Sequence, residues 1–319
     1  MIKTTVIGNY PKVTETSGKE SIRGAIHQLD SGKLSAQELE EIFRENTRRV
    51  LKEQEEAGID LVTDGQLRWD DIVTPFAAKI EGFKINGLAR FFNNNVYYRR
   101  PVVVSELQYQ GPISVEAFVL AKQSARKELK AVLPGPFTFA VLSDDQFYRN
   151  EKKLIGTLAE ILNQEALALE KAGATFIQFD EPALVFQKEK VSSVTEGIAR
   201  ARKGVRVKTA LTTYFGDVDG IFEDLVKAQV DVLGLDFVST NGNLKILTHA
   251  PIPKGLGIGC VDARNTRLED PRAVRALIQK ASALTPEVYV SPNAGLEFLP
   301  YNRVAPKMEG LVEAARGLA

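Results

Sequence analysis

The chain has 319 residues, 44% of them hydrophobic, and its 41 basic side chains balance its 41 acidic ones. That length and apolar content suit one large core of the size α/β barrels reach, and the level charge, with no dense basic cluster, excludes a surface that tracks a nucleic-acid backbone. A single cysteine, Cys260, excludes an internal disulfide framework and a multi-cysteine metal cluster. The N-terminal "MIKTTVIGNYPK" lacks the apolar core of a signal peptide, and no window nears the roughly 20 apolar residues of a membrane span, so a cytoplasmic protein with no membrane partner is expected.

Short apolar runs alternate with longer segments of helical period. The predicted strands are 4–8, 60–64, 101–105, 130–135, 175–180, 206–212, 231–237, 255–261 and 287–292. Between the first two, Ser35 and Glu38 make a capping box, Leu39, Ile42, Phe43, Val50 and Leu51 share a helical face, and Gly58 suits the C-cap. A second helix is predicted over 152–172, with Leu154, Ile155, Leu158, Ile161 and Leu162 on its buried side. Such repeated strand–helix units predict an α/β protein whose residues 1–319 form a single (β/α)8 TIM barrel. The runs number one more than a barrel needs, and the weakest is 101–105, which follows "FFNNNVYYRR".

A barrel places its active site at the C-terminal ends of its strands. The run ends here carry Asn9, Asp64 and Gln66, Asp180 and Glu181, Thr212 to Tyr214, Asp236, Asp262 and Arg264, and Asn293. Singly, residues of this kind also cap helices and tie loops; as a set they predict a ligand pocket. The stretch "TFIQFDEPALV" runs an apolar strand into Asp180 and Glu181 before a proline stops it, which makes Asp180 the foremost candidate. His27 and His249 are the only histidines and lie too far apart in sequence for metal-ligand spacing, "GLGIG" does not open a helix as a dinucleotide fingerprint does, and Cys260 sits inside an apolar strand as an inert thiol would.

The ordered motifs "TTVIGNYP", "EAGIDLVTDGQ", "LPGPFTF", "IQFDEPAL", "TTYFGDV", "GLGIGCVDARN" and "SPNAGLEFLP" resemble the cobalamin-independent methionine synthase family over nearly the whole chain. The resemblance implies a (β/α)8 barrel. Full-length enzymes of the family fuse two, and the C-terminal one holds a zinc ion that binds the homocysteine thiolate for methylation by a methyltetrahydrofolate polyglutamate. Zinc keeps such a sulfur deprotonated near neutral pH. The family's zinc ligands, a histidine, a cysteine, a glutamate and a second cysteine, match Thr212, Tyr214, Asp236 and Ala294 here, and an alanine supplies no donor. The proton-donating histidine matches Arg264, a glutamate that holds homocysteine matches Gln66, and Asp180 matches an aspartate that contacts the amino acid.

Other motifs resemble the zinc-free N-terminal barrel of the fused enzyme: "TYFG", "VDARN" beside its "VDGRN", "SGKLSAQEL" and "ARFFNNNVYY". In that half, basic residues contact the folate polyglutamate tail, and their matches are Lys19, Arg23 and Arg90, which also read as ordinary surface cations. The resemblance thus implies a component of a methionine synthase with no metal of its own, acting with a separate zinc-bearing barrel as its heteromeric partner and a folate polyglutamate as methyl donor. Asp180, Glu181, Arg264 and Tyr214 are its candidate catalytic residues; Lys19, Arg23, Arg90, Asn9, Gln66, Asp236 and Asn293 are its candidate binding residues. Two rival expectations are an independent metal-free transferase or lyase using Asp180, Tyr214 and Arg264, and a structural partner with no ligand.

Overall fold

The computed structural model describes residues 1–12, 21–94, 96–248 and 251–318. The chain divides into two compact units. The first comprises the described residues of Met1–Arg68, Ala117–Lys130 and Asp236–Ala319, and the second those of Trp69–Glu116 and Ala131–Leu235.

In the first unit the strands run parallel. Gly255–Val261 pairs with Val288–Pro292, which pairs with Ile2–Thr4, and Thr5 bridges to Leu61 of the strand Leu61–Val62, itself paired with Glu128–Leu129. Gly255–Val261 and Val288–Pro292 are buried at every position, as near-continuous apolar runs covered on both faces should be. The helix Ala36–Ala57 begins with the expected capping box: Ser35 Oγ accepts from the Glu38 N–H, and Glu38 Oε2 accepts from the Ser35 N–H. Gly58 ends it at φ +92°, a backbone that favours glycine. Its fully buried Val50 and Leu51 each contribute roughly 1.5–3 kcal/mol of apolar burial.

In the second unit Ala131–Pro134, Phe176–Asp180, Lys208–Thr212 and Val232–Asp236 are parallel neighbours in that order, with Asp236 itself assigned to the first unit. The helix Glu151–Lys171 starts where Asn150 Oδ1 accepts from the Lys153 N–H, and it buries Leu154, Ile155, Leu158, Ile161 and Leu162 as its spacing predicts. Glu165 on this helix is fully buried because it accepts from the N–H groups of Ile113 and Ser114 and from the hydroxyls of Ser114 and Tyr109.

The predicted strand 101–105 is not part of the parallel array. It lies within Tyr97–Tyr109, which forms an antiparallel hairpin with Ile80–Arg90 and takes a short parallel pairing from Asp144–Asp145. This accounts for the surplus run: it belongs to a hairpin outside the parallel array, in which Ile85, Leu88, Tyr97 and Val104 stand partly in solvent. Among the described residues no helix is long and apolar enough to cross a membrane.

Candidate functional site

In the second unit the paired register aligns Asp180 with Thr212, so Tyr214, two residues beyond, reaches back across the strand ends. Its hydroxyl donates to Asp180 Oδ2 at 3.3 Å, and Gln178 Nε2 donates to Oδ1 at 2.7 Å. Asp180, Gln178 and Tyr214 are all buried, so both carboxylate oxygens are held by fixed donors in a dry setting. Beside them Phe215 stands edge-on to Tyr214 at 4.7 Å and packs near Phe91 and Phe92, and Phe92 stacks on Phe186 at 5.1 Å. Phe215 and Phe92 both adopt left-handed backbone, at φ +75° and +51°, which is costly for bulky residues and concentrates at functional positions.

Glu181, next in sequence to Asp180, does something different. Its oxygens accept from the N–H groups of Phe137 and Thr138, at 2.9 and 2.7 Å, at the start of the short helix Pro136–Val141. The carboxyl lies so close on Gly135 that a Cβ there would sit 2.1 Å from its Cδ. Burial pushes its pKa up to about 7 despite those donors and the Thr138 side chain. The structure therefore brings Asp180 and Tyr214 together and turns Glu181 to the backbone.

In the first unit Asp236 is clasped from several sides. Oδ1 accepts from the N–H groups of Val238 and Ser239, Oδ2 accepts from the Ser239 hydroxyl, and Asn293 Nδ2 lies 3.2 Å from Oδ1. Asn293 Oδ1 in turn accepts from the Ala263 N–H, and Arg264, an exposed residue, donates from Nη2 to Ser239 Oγ at 2.9 Å. Asp236, Asn293 and Arg264 thus belong to one hydrogen-bonded network, with Ser239 as its hub.

Elsewhere in that unit Asn9 Nδ2 donates to Glu297 Oε1 at 3.2 Å, while burial raises the Glu297 pKa to about 7. Gln66 is 2% exposed, with its backbone N–H on Asp64 Oδ1. Its amide lies against Gly8, where a Cβ would meet Oε1 at 2.8 Å. Arg23 is exposed on the helix Ile22–Asp30 of the first unit, and Arg90, in the second, is exposed with Nε donating to the Asn94 carbonyl. Lys19 lies outside the described residues. Gln178, Ser239 and Glu297 were not singled out from the sequence. Gln178 carries the one readable signal, a polar side chain inside an otherwise apolar strand.

The positions that the resemblance pairs with zinc ligands do not suit that ion. Thr212 offers a neutral hydroxyl and Tyr214 a phenol engaged with Asp180; Asp236 is committed to four donor groups, and Ala294 is a buried methyl. Among the described residues no group of three or more His, Cys, Asp or Glu side chains is placed to hold a metal ion. Cys260 is buried, and burial pushes its thiol up to about 12, far from the thiolate a metal needs.

The family described as "Cobalamin-independent synthase, Catalytic domain" matches residues 2–317. Methionine synthase from Saccharolobus solfataricus is 36% identical over 320 residues, covering 99% of this chain and 94% of that one. Methionine synthase from Pyrococcus furiosus is 32% identical, covering 100% and 93%. Among solved structures, a B12-independent methionine synthase from Shewanella sp. W3-18-1, in complex with selenomethionine, superposes with a TM-score of 0.85 at 25% identity, covering 99% of this chain and 97% of that one. A Listeria monocytogenes structure titled as a putative vitamin-B12-independent methionine synthase shares the fold, with a TM-score of 0.78 at 18% identity. From its motifs, its strand order and these likenesses together, the chain belongs to the cobalamin-independent methionine synthase family.

Proposed function

We propose that this chain takes part in methyl transfer from a folate polyglutamate to the sulfur of homocysteine, holding small-molecule substrate while a separate barrel supplies the zinc. The observation that carries this reading is the donor chemistry at Thr212, Tyr214, Asp236 and Ala294, a hydroxyl, an engaged phenol, a fully committed carboxylate and a methyl. Zinc in the partner would hold the substrate sulfur as thiolate. Asp180, held at both oxygens by Gln178 and Tyr214, serves as the contact to the amino-acid ligand, and the exposed Arg23 and Arg90 serve the folate tail together with Lys19. The fold is read as a closed (β/α)8 barrel in a cytoplasmic protein. Supporting the barrel are, among the described residues and apart from the hairpin and Asp144–Asp145, eight parallel strand segments, with Glu128–Leu129 and Ala131–Pro134 taken as one because only Lys130 separates them.

A second reading has an observation of its own. The Saccharolobus and Pyrococcus relatives are of similar length and carry the name methionine synthase as single chains, which favours a stand-alone enzyme. Purified chain, a zinc-bearing barrel from the same genome, and the two mixed are assayed for methionine formation from homocysteine and 5-methyltetrahydrofolate triglutamate, with metal content measured in parallel. The two-component reading expects turnover in the mixture alone and no stoichiometric zinc on this chain. Turnover by the isolated chain, or about one tightly held zinc per chain, selects the stand-alone enzyme instead.

A further inference from the structure

Between the helix Ala36–Ala57, the loop that follows Leu61–Val62 and the helix Val115–Ser124 lies a cavity of about 100 Å³, and every residue that lines it belongs to the first unit. Arg44, Arg48 and Arg68 line it together with Thr47, Gln123 and Ser124, so guanidiniums, hydroxyls and an amide, all able to donate, surround the space. Three guanidiniums here meet two carboxylates. Glu40 accepts from both Nη atoms of Arg68, at 2.5 and 2.7 Å, and from Arg44 Nε at 3.2 Å, while Glu41 lies 3.4 Å from Arg48 Nη1 and 3.9 Å from Arg44 Nη1. A guanidinium carries more N–H donors than one carboxylate accepts, so the cluster keeps positive charge and donor capacity in excess. Arg68 is also held still, because Glu40 grips one edge of its guanidinium and the Phe43 ring lies 4.8 Å beneath it. A cation fixed before its ligand arrives loses little further freedom on binding.

We propose that this cavity binds a small tetrahedral oxyanion, either a free ion such as sulfate or phosphate or the phosphoryl end of a larger molecule, held by Arg44, Arg48 and Arg68. Pockets for whole metabolites run to roughly 300–1,000 Å³, so the space admits an ion or one end of a ligand and no more. The exposed Arg48 and Gln123 stand at its mouth, whereas the half-buried Arg68 and the buried Thr47 lie deeper. A tetrahedral oxyanion accepts from several sides at once, which donors converging from two helices and a loop supply, and guanidiniums pair with such groups bidentately. Among the described residues Asp64 is the one carboxylate in the lining, and burial raises its pKa against the Gln66 N–H and the charge of Arg68. A carboxyl that keeps its proton donates to an anion instead of repelling it. The site shares no residue with the Asp180 and Asp236 networks, so it stands or falls apart from the methyl-transfer reading.

The test is calorimetric titration at neutral pH with sulfate, phosphate, glycerol 3-phosphate and acetate, the ionic strength held constant with chloride so that general screening does not change. The first three should bind, and acetate, with fewer acceptor oxygens and less charge, about 10-fold or more weakly. Arg48→Gln removes a cation from the exposed mouth, where its pair with Glu41 adds little to stability, so the melting temperature should hold while sulfate weakens by about 10-fold, one charge-assisted contact. Arg68→Gln should weaken sulfate at least as much. Asp64→Asn keeps an oxygen for the Gln66 N–H and should leave sulfate binding unchanged or tighter. Glycerol 3-phosphate bound more tightly than phosphate assigns the site to the phosphoryl end of a larger molecule, and the reverse order assigns it to the free ion. The inference is overturned if none of the three oxyanions binds at millimolar concentration, or if Arg48→Gln binds sulfate as tightly as the wild-type chain. Loss of binding in Asp64→Asn overturns it as well, because a required carboxylate would make the cavity a cation site.

Discussion

The Tyr214 hydroxyl meets Asp180 Oδ2 across two neighbouring strand ends, 34 residues apart in sequence, while Gln178 holds the other oxygen from within Asp180's own strand. The carboxylate is thereby oriented before any ligand arrives, which lowers the cost of ordering it on binding. Tyr214→Phe removes one donor and keeps the ring against Phe215. In a double-mutant cycle with Asp180→Asn, followed by chemical denaturation, the coupling should be about 0.5–1.5 kcal/mol, the range for a buried hydrogen bond. Coupling near zero would mean that Tyr214 and Asp180 are neighbours without a shared bond.

Glu181 should leave a signature in the pH dependence of folding. Its folded pKa is raised to about 7 from 4.5, chiefly by burial, so between those values the folded state binds a proton that the unfolded state has lost. Its contribution to stability is present in full below about pH 4.5 and is lost as pH rises to about 7, by roughly 3 kcal/mol at most. Thermal unfolding of wild type and Glu181→Gln between pH 5 and 8 checks this: the variant should show the shallower decline, with Glu297, shifted the same way, accounting for part of what remains. Gly135→Ala drives a methyl into the same carboxyl and should cost about 1–3 kcal/mol or more through overpacking. An alanine variant of wild-type stability would show that the Glu181 side chain moves aside without loss.

The polyglutamate role that the family resemblance gives Arg90 has a simple discriminating experiment. Arg90 is exposed, with Nε donating to the Asn94 carbonyl, and contacts made by an exposed guanidinium should be salt-sensitive. Arg90→Ala should weaken binding of a folate triglutamate by about 10- to 100-fold and barely change a monoglutamate, with the difference shrinking as salt rises. Equal effects on the two folates would return Arg90 to the ordinary surface.

Most of the parallel strands were legible because a strand covered on both faces is a near-continuous apolar run, as Gly255–Val261 and Val288–Pro292 are and as Phe176–Asp180 is apart from Gln178 and its terminal Asp180. The helix start at Ser35 was legible too, because a cap acts within a few residues; the second helix, expected from 152, starts at Glu151 behind a cap at Asn150 that was not singled out. Ile80–Arg90 escaped notice. Its residues are mostly exposed, it contains two glycines, and its register with Tyr97–Tyr109 shifts twice, so no clean alternation survives in the sequence. The division of labour between Asp180 and Glu181 was not legible either. Adjacent carboxylates look alike in a sequence, and only the approach of Gly135, whose carbon skeleton leaves room for Glu181, separates an oriented acid from a helix anchor. Gln66 stood out as a strand-end residue, but the burial of its amide against Gly8 exists only in the folded chain.

Lys307 lies in the helix Tyr301–Ala315 with its side chain 0% exposed and pairs with Glu269 at 2.7 Å, and the same Glu269 oxygen accepts from the N–H of Asp262. The loop bearing Arg264 is thus pinned by a residue 38 positions further along the chain than its anchor. During synthesis, then, this loop lacks its anchor when its own residues emerge; Glu269 must wait for Lys307, and a nascent chain arrested before that lysine lacks the ion pair that the finished protein has there. Lys307 is the buried member of this pair, while Glu269 keeps 24% of its side chain in solvent. The Arg264 loop therefore takes its form only after synthesis has passed Lys307, well after the loop's own residues are made.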